Sequence, residues 1–241
     1  MTESEWLSIA NHSQWMIIQL RQLGVARNKA GRRKLRLFSC GCCQVIWNVL
    51  PDNRLRDAVQ TAERFADDLA TKDELSAARA AVEWMRVDSG QFGNVPLGVR
   101  VAIDMAVATT DPRAFAAAFA MTACLVPLAG QIQPTTAETY LSHLKPATTA
   151  ETYLCQLVRC VFGNPFRTVS AESNWLKWGH GTVPKLARSI YEERRFSDLP
   201  VLADALEEAG CTHEDILGHL RGPGPHIRGC WPVDLLLAPG K

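Results

Sequence analysis

The 241-residue sequence predicts an all-α protein, and three observations lead there. Apolar side chains recur at three- and four-residue steps along most of the chain, the repeat that gathers them on one face of a helix. Helix-start signals accompany them: Thr2 with Glu5 and Thr71 with Glu74 have the spacing in which a hydroxyl and a carboxylate satisfy helix-end amides reciprocally. No segment sustains the alternation and β-branched enrichment of a strand, apart from a short extended piece over 166–169. About ten helices are expected, as a bundle that divides into two lobes.

In order, the Thr2 signal opens a first helix reaching about Leu23, and Gly24 to Gly31 interrupt it. Leu35, Phe38, Cys42, Val45, Ile46 and Val49 then mark a second helix that Pro51 stops. Asp52 starts a third, with the stripe Leu55, Ala58, Val59, Ala62, Phe65, Ala66 and Leu69, and Thr71 caps a fourth through Leu75, Val82 and Met85. Three glycines and a proline make Ser89–Gly98 a loop. Val99–Val107 and Pro112–Val126, the latter capped by Asp111, read as buried central helices.

A tandem repeat follows: Thr135–Leu141 recurs as Thr148–Leu154, a period of 13 residues. Two short copies make a local duplication rather than a solenoid. The reading is therefore an amino-terminal lobe over 1–130, a linker over 131–147 and a carboxy-terminal lobe over 148–241. In that lobe, helices are expected from Thr149 to Gly163, from Thr182 past Tyr191, from Asp198 to Gly210, from Thr212 to near Gly222, and over Arg228–Leu237.

Lysine and arginine total 26 against 25 acidic residues, so no global field recruits nucleic acid or an anionic membrane. The first residues carry Glu3 and Glu5 where an export signal would be basic, and no run supplies the roughly 18 uninterrupted apolar residues of a spanning helix. A cytoplasmic protein is expected, its eight cysteines reduced and free to act as core residues or metal ligands.

The tail holds the densest chemistry. Three of six histidines and two of eight cysteines lie between Cys211 and Cys230. His226 and Cys230, four apart, share a face if the last helix has already begun, and the Gly222–Pro225 turn can fold His219 beside them. Such a nitrogen and sulfur set suits zinc, the one cofactor the sequence suggests. The nearest fourth donor is Cys211, although eight residues of helix would hold it roughly 12 Å from His219. Cys40, Cys42 or Cys43 are alternatives, and His213 points about 240° away from His219. The competing expectation is a packed, metal-free hairpin in which the cysteines are small hydrophobes and His226 bonds backbone carbonyls.

Arg27, Lys29, Arg32, Arg33, Lys34 and Arg36 form the strongest charge cluster. Positive charge at a helix amino terminus opposes the dipole and asks for a partner, either an acidic face of the same chain, such as Asp67–Asp68 or Glu207–Glu208, or phosphate. One short run in a neutral protein disfavours nucleic acid. Cys40–Gly41–Cys42–Cys43 is not a redox pair and reads as core. No nucleophile elbow, phosphate loop or zinc-protease motif occurs, so no catalytic residue is assigned; His180, between two glycines and near Trp175 and Trp178, is the most active-site-like histidine and equally a plain turn.

Asn164–Arg167, Leu199–Cys211 and Pro223–Trp231 resemble carboxy-terminal blocks of an uncharacterised family of bacterial all-helical proteins, and Met1–Leu7 with Arg33–Phe38 and Cys42–Cys43 resemble its amino-terminal blocks. The duplicated segment from Pro134 to Leu154 departs from the family pattern. The resemblance implies a helical fold and no activity, cofactor or site residue. The leading expectation is thus a non-catalytic helical interaction protein with another protein as partner; a zinc-stapled module and phosphate binding at Arg32, Arg33, Lys34 and Arg36 are the alternatives.

Overall fold

A computed structural model describes residues 1–91, 97–131 and 150–237. Twelve α-helices and no strand are present among them. The contacts group the chain into two compact units, Met1–Cys155 and Gln156–Lys241. That division falls inside a helix rather than in the 131–147 segment, which lies, except for Gln131, outside the described residues together with the first repeat copy.

The first unit contains α1 (Glu3–Ser8), α2 (Ser13–Gln22), α3 (Lys29–Val45), α4 (Asn53–Ala66), α5 (Lys72–Gln91), α6 (Leu97–Thr109), α7 (Ala114–Gln131) and the start of α8 (Ala150–Phe162). Both capping boxes form: Thr2 Oγ1 accepts from the Glu5 amide, and Thr71 Oγ1 from the Glu74 amide, with each carboxylate accepting in return. The single helix expected to Leu23 is two, because Ile9 turns to extended backbone and the second helix begins only at Ser13. Helix α3 starts earlier than expected, since Asn28 caps it by accepting from the Gly31 amide. Of the loop expected over Ser89–Gly98, Ser89–Gln91 belong to α5 and Leu97–Gly98 to α6, and residues 92–96 lie outside the described ones.

Helix α3 packs on α4, α6 and α7, which explains why Leu35, Leu37, Phe38, Cys40, Cys42 and Cys43 are all buried, well beyond a single stripe. One charge of α3 goes inside with them. The Arg36 guanidinium donates to the Thr109, Asp111 and Pro112 carbonyls at the α6–α7 corner, and lies over the Phe65 ring at 5.2 Å. The carbonyl that ends α6 and two in the connection after it thereby find a donor without water.

The second unit holds the rest of α8, then α9 (Ser173–Glu193), α10 (Leu199–Glu208), α11 (Glu214–Arg221) and α12 (Trp231–Leu237). Helix α9 packs on α10 and α12, and α10 on α11. Leu202, Leu206, Leu220, Val233 and Leu236 fill the space between them. The piece expected to be extended over 166–169 forms no strand and begins in a turn, tied by the Arg167 amide to the Asn164 carbonyl. Helix α12 starts at Trp231, three residues later than expected from Arg228.

Candidate metal centre

Four donors converge in the second unit. Cys160 stands on the last turn of α8, which ends at Gly163 in the left-handed conformation (φ 65°). A side chain there would also crowd Trp231, whose ring is 3.1 Å from where a Cβ would sit. His219 stands on the last turn of α11, and Gly222 closes that helix by donating to the His219 carbonyl. His226 lies in the turn beyond, after a cis Gly224–Pro225 bond, and Cys230 immediately precedes α12.

The donor atoms of Cys160, His219, His226 and Cys230 all lie within 4.8 Å of one another. His219 Nε2 is 3.3 Å from Cys230 Sγ, and His226 Nδ1 is 3.9 Å from Cys160 Sγ and 4.0 Å from Cys230 Sγ. A tetrahedral zinc at about 2.3 Å from sulfur and about 2.0 Å from nitrogen requires sulfur–nitrogen edges of about 3.5 Å. These three separations match to within half an ångström.

A second layer orients the ligands. His226 Nε2 donates to the Gly222 carbonyl at 3.1 Å, which leaves the Nδ1 lone pair directed at the two sulfurs. The His219 and His226 rings meet edge to face at 5.0 Å, and Trp231 covers His219 at 5.8 Å. Both sulfurs are inaccessible, at 1% and 0% exposure, whereas both imidazoles reach the surface in part.

The electrostatics suit a cation. Burial would raise the Cys160 thiol, but donors from Cys230, His219 and His226 outweigh it and hold that thiol well below its usual range. Burial, with the Cys160 sulfur alongside, pushes Cys230 up. His226 loses solvation too, yet Cys160 and the Gly222 carbonyl hold its imidazole above the ordinary value. A divalent ion at the centre would neutralise both thiolates at once.

Three of the four residues expected at the tail are therefore brought together, and Cys211 is not. It precedes α11, buried near Glu172 and Glu207, and the length of that helix carries it away from His219. The fourth donor is Cys160, 59 positions before His219, which no local spacing announces. The reason given for His226 and Cys230 is corrected as well: they share a turn, not a helix face. His213, at the start of α11, stays outside the group, as its angular position implied.

The other candidates resolve differently. Lys29 pairs with Asp68 at 2.7 Å and Arg33 with Asp67 at 2.8 Å, so the acidic partner is the end of α4. Arg32 donates to the Arg27 carbonyl at 2.9 Å, and Arg36 is buried, which removes it from any phosphate-binding surface. Cys40, Cys42 and Cys43 are core residues, burial pushing the thiols of Cys42 and Cys43 well up. His180 occupies a left-handed turn inside α9, with Gly179 and Gly181, and accepts from Lys185 Nζ through its own carbonyl.

No family model, no curated protein and no solved structure matches this chain. Among the described residues, no helix is long and apolar enough to cross a membrane.

Proposed function

We propose that this chain is a zinc-stapled helical binding module, in which one Zn²⁺ held by Cys160, His219, His226 and Cys230 fixes α11, the turn and α12 against the end of α8. The observation that carries it is the convergence of two thiols and two imidazoles within 4.8 Å, three of the sulfur–nitrogen separations lying within half an ångström of a tetrahedral edge of about 3.5 Å. The Gly222 carbonyl on His226 supplies the outer-layer contact that metal-bound histidines use.

Four protein ligands complete a tetrahedral shell, so the ion has no open position for water or substrate. That favours a structural staple over a hydrolytic centre and a role exercised through contact with another protein. Cytoplasmic thiols, kept reduced, fit such a staple. His226 and Cys230 also fall inside the Pro223–Trp231 block, so the proposed kinship to helical bacterial proteins would extend the metal site to relatives that carry a cysteine and a histidine at the positions of Cys160 and His219.

The test is elemental analysis of protein purified without added metal, which should give one zinc per chain. A His226→Ala/Cys230→Ala double variant should lose it. Metal-free wild-type protein that neither takes up zinc nor gains stability from it would rule the staple out.

A further inference from the structure

Resting on the zinc assignment above, we infer that the site is also a redox clasp: a hydroperoxide converts the Cys160 and Cys230 thiolates into a disulfide and expels the ion. Of the four donors only the two sulfurs are oxidised by mild peroxides, and they lie within 4.8 Å of each other. They come from positions seventy residues apart, so joining them ties the end of α8 to the start of α12 whether or not metal remains.

The step balances. One thiolate attacks a peroxide oxygen, the O–O bond breaks, and the products are a sulfenic acid and an alkoxide, which takes a proton to become an alcohol. The second thiolate attacks the sulfenic sulfur, the S–S bond forms, and hydroxide leaves and takes a proton to become water. Two electrons pass from the two sulfurs to the peroxide, and two protons are consumed. Zinc departs as Zn²⁺ because a disulfide is a poor donor and only two imidazoles remain.

Selectivity follows from where the other thiols sit. Burial pushes the Cys42, Cys43, Cys124 and Cys211 thiols up, leaving them protonated and sluggish toward peroxides, whereas a metal-bound sulfur is a thiolate by necessity. Both sulfurs are buried and both imidazoles partly exposed, so the peroxide reaches a sulfur when an imidazole swings off the ion.

The experiment treats the zinc-loaded full chain with hydrogen peroxide, follows released metal with a chromogenic chelator, and maps cysteines by mass spectrometry. The expected result is one zinc released for each peptide pair linked through Cys160 and Cys230, reversed by a dithiol with added zinc. Zinc that stays bound, or that leaves while the two cysteines become sulfinic acids without a linked pair, overturns the clasp. A Cys160→Ser chain can fail to fold, so a Cys124→Ser/Cys211→Ser variant provides the second arm: it should release zinc as fully as wild type, and loss of release there would place the chemistry elsewhere. Metal analysis before oxidation separates the two failures. Absence of zinc at that stage removes the staple itself, whereas bound zinc that survives peroxide removes the clasp alone.

Discussion

The basic segment that opens α3 and the corner around His226 each crowd one kind of chemistry into a short run, yet the fold treats them in opposite ways. Along α3 the charges are dispersed: Lys29 and Arg33 meet Asp68 and Asp67, Arg32 turns back on its own backbone, and Arg36 goes into the core. At the corner the ligands are concentrated, and a residue from a distant helix, Cys160, joins them. Charges of one sign repel and are satisfied by any nearby acid or carbonyl. Thiols and imidazoles repel little and can share a point, which makes their convergence the more informative observation.

Cys160→Ser should remove zinc and with it several of the roughly 10–16 kcal/mol that structural zinc sites contribute to folding, read as a lower thermal midpoint of the second unit. Cys211→Ser should leave zinc stoichiometry unchanged. Equal losses in the two variants would mean that packing around buried cysteines, not coordination, holds the corner. Chelation at neutral pH should reproduce the Cys160→Ser effect in wild-type protein.

On the other side of the comparison, Arg36→Met should cost about 3 kcal/mol, because it strands the buried Thr109 carbonyl and removes the donor shared by Asp111 and Pro112. Urea unfolding followed by a probe in the first unit checks it. Zinc content should not move, and unchanged stability would show that water reaches this corner and replaces the guanidinium.

Acidification sharpens the contrast further. Burial disfavours a charged His226, but Cys160 and the Gly222 carbonyl raise its pKa in the metal-free corner. A raised value means that protonation stabilises the metal-free form, fully below the ordinary histidine value of about 6.5, and that this contribution fades as pH climbs through the higher folded value. Zinc binding needs the neutral ring, so affinity should fall on acidification, starting above pH 6.5. A zinc titration by calorimetry from pH 8 to pH 6 reads this directly. Constant affinity across that window would exclude His226 as a ligand.

What the sequence disclosed of these regions follows from the range of the interactions involved. Helices were legible because their signals are local: the capping boxes at Thr2 and Thr71 form as spaced, and Gly163 and Gly210 end helices as left-handed residues. His219, His226 and Cys230 were legible for the same reason, all lying within twelve positions of one another. Cys160 was not, since its place in the site depends on how α8 meets α11 and the turn, and a buried cysteine on an apolar helix looks like core. The bend at residues 9–12 was missed because apolar periodicity does not register a single residue, Ile9, turning to extended backbone.

The smallest expected effect tests the dispersed side of the comparison. Arg33 and Asp67 are largely shielded, whereas Lys29 and Asp68 are open to solvent at 75% and 67% side-chain exposure. An exposed pair spends side-chain entropy to gain a screened attraction, so Asp68→Asn should cost no more than about 0.5 kcal/mol and lose even that in high salt. Asp67→Asn should cost more, about 1 kcal/mol, because the Arg33 guanidinium would keep its partial burial without the carboxylate it donates to at 2.9 Å. Denaturant midpoints at low and high ionic strength distinguish the two. If neither substitution is felt at low salt, the acids at the end of α4 are spectators and the α3 cations are held by solvent alone. If Asp67→Asn weakens the protein while zinc content stays at one per chain, the charge cluster is a structural joint of the first unit, and its energetics are independent of the metal corner.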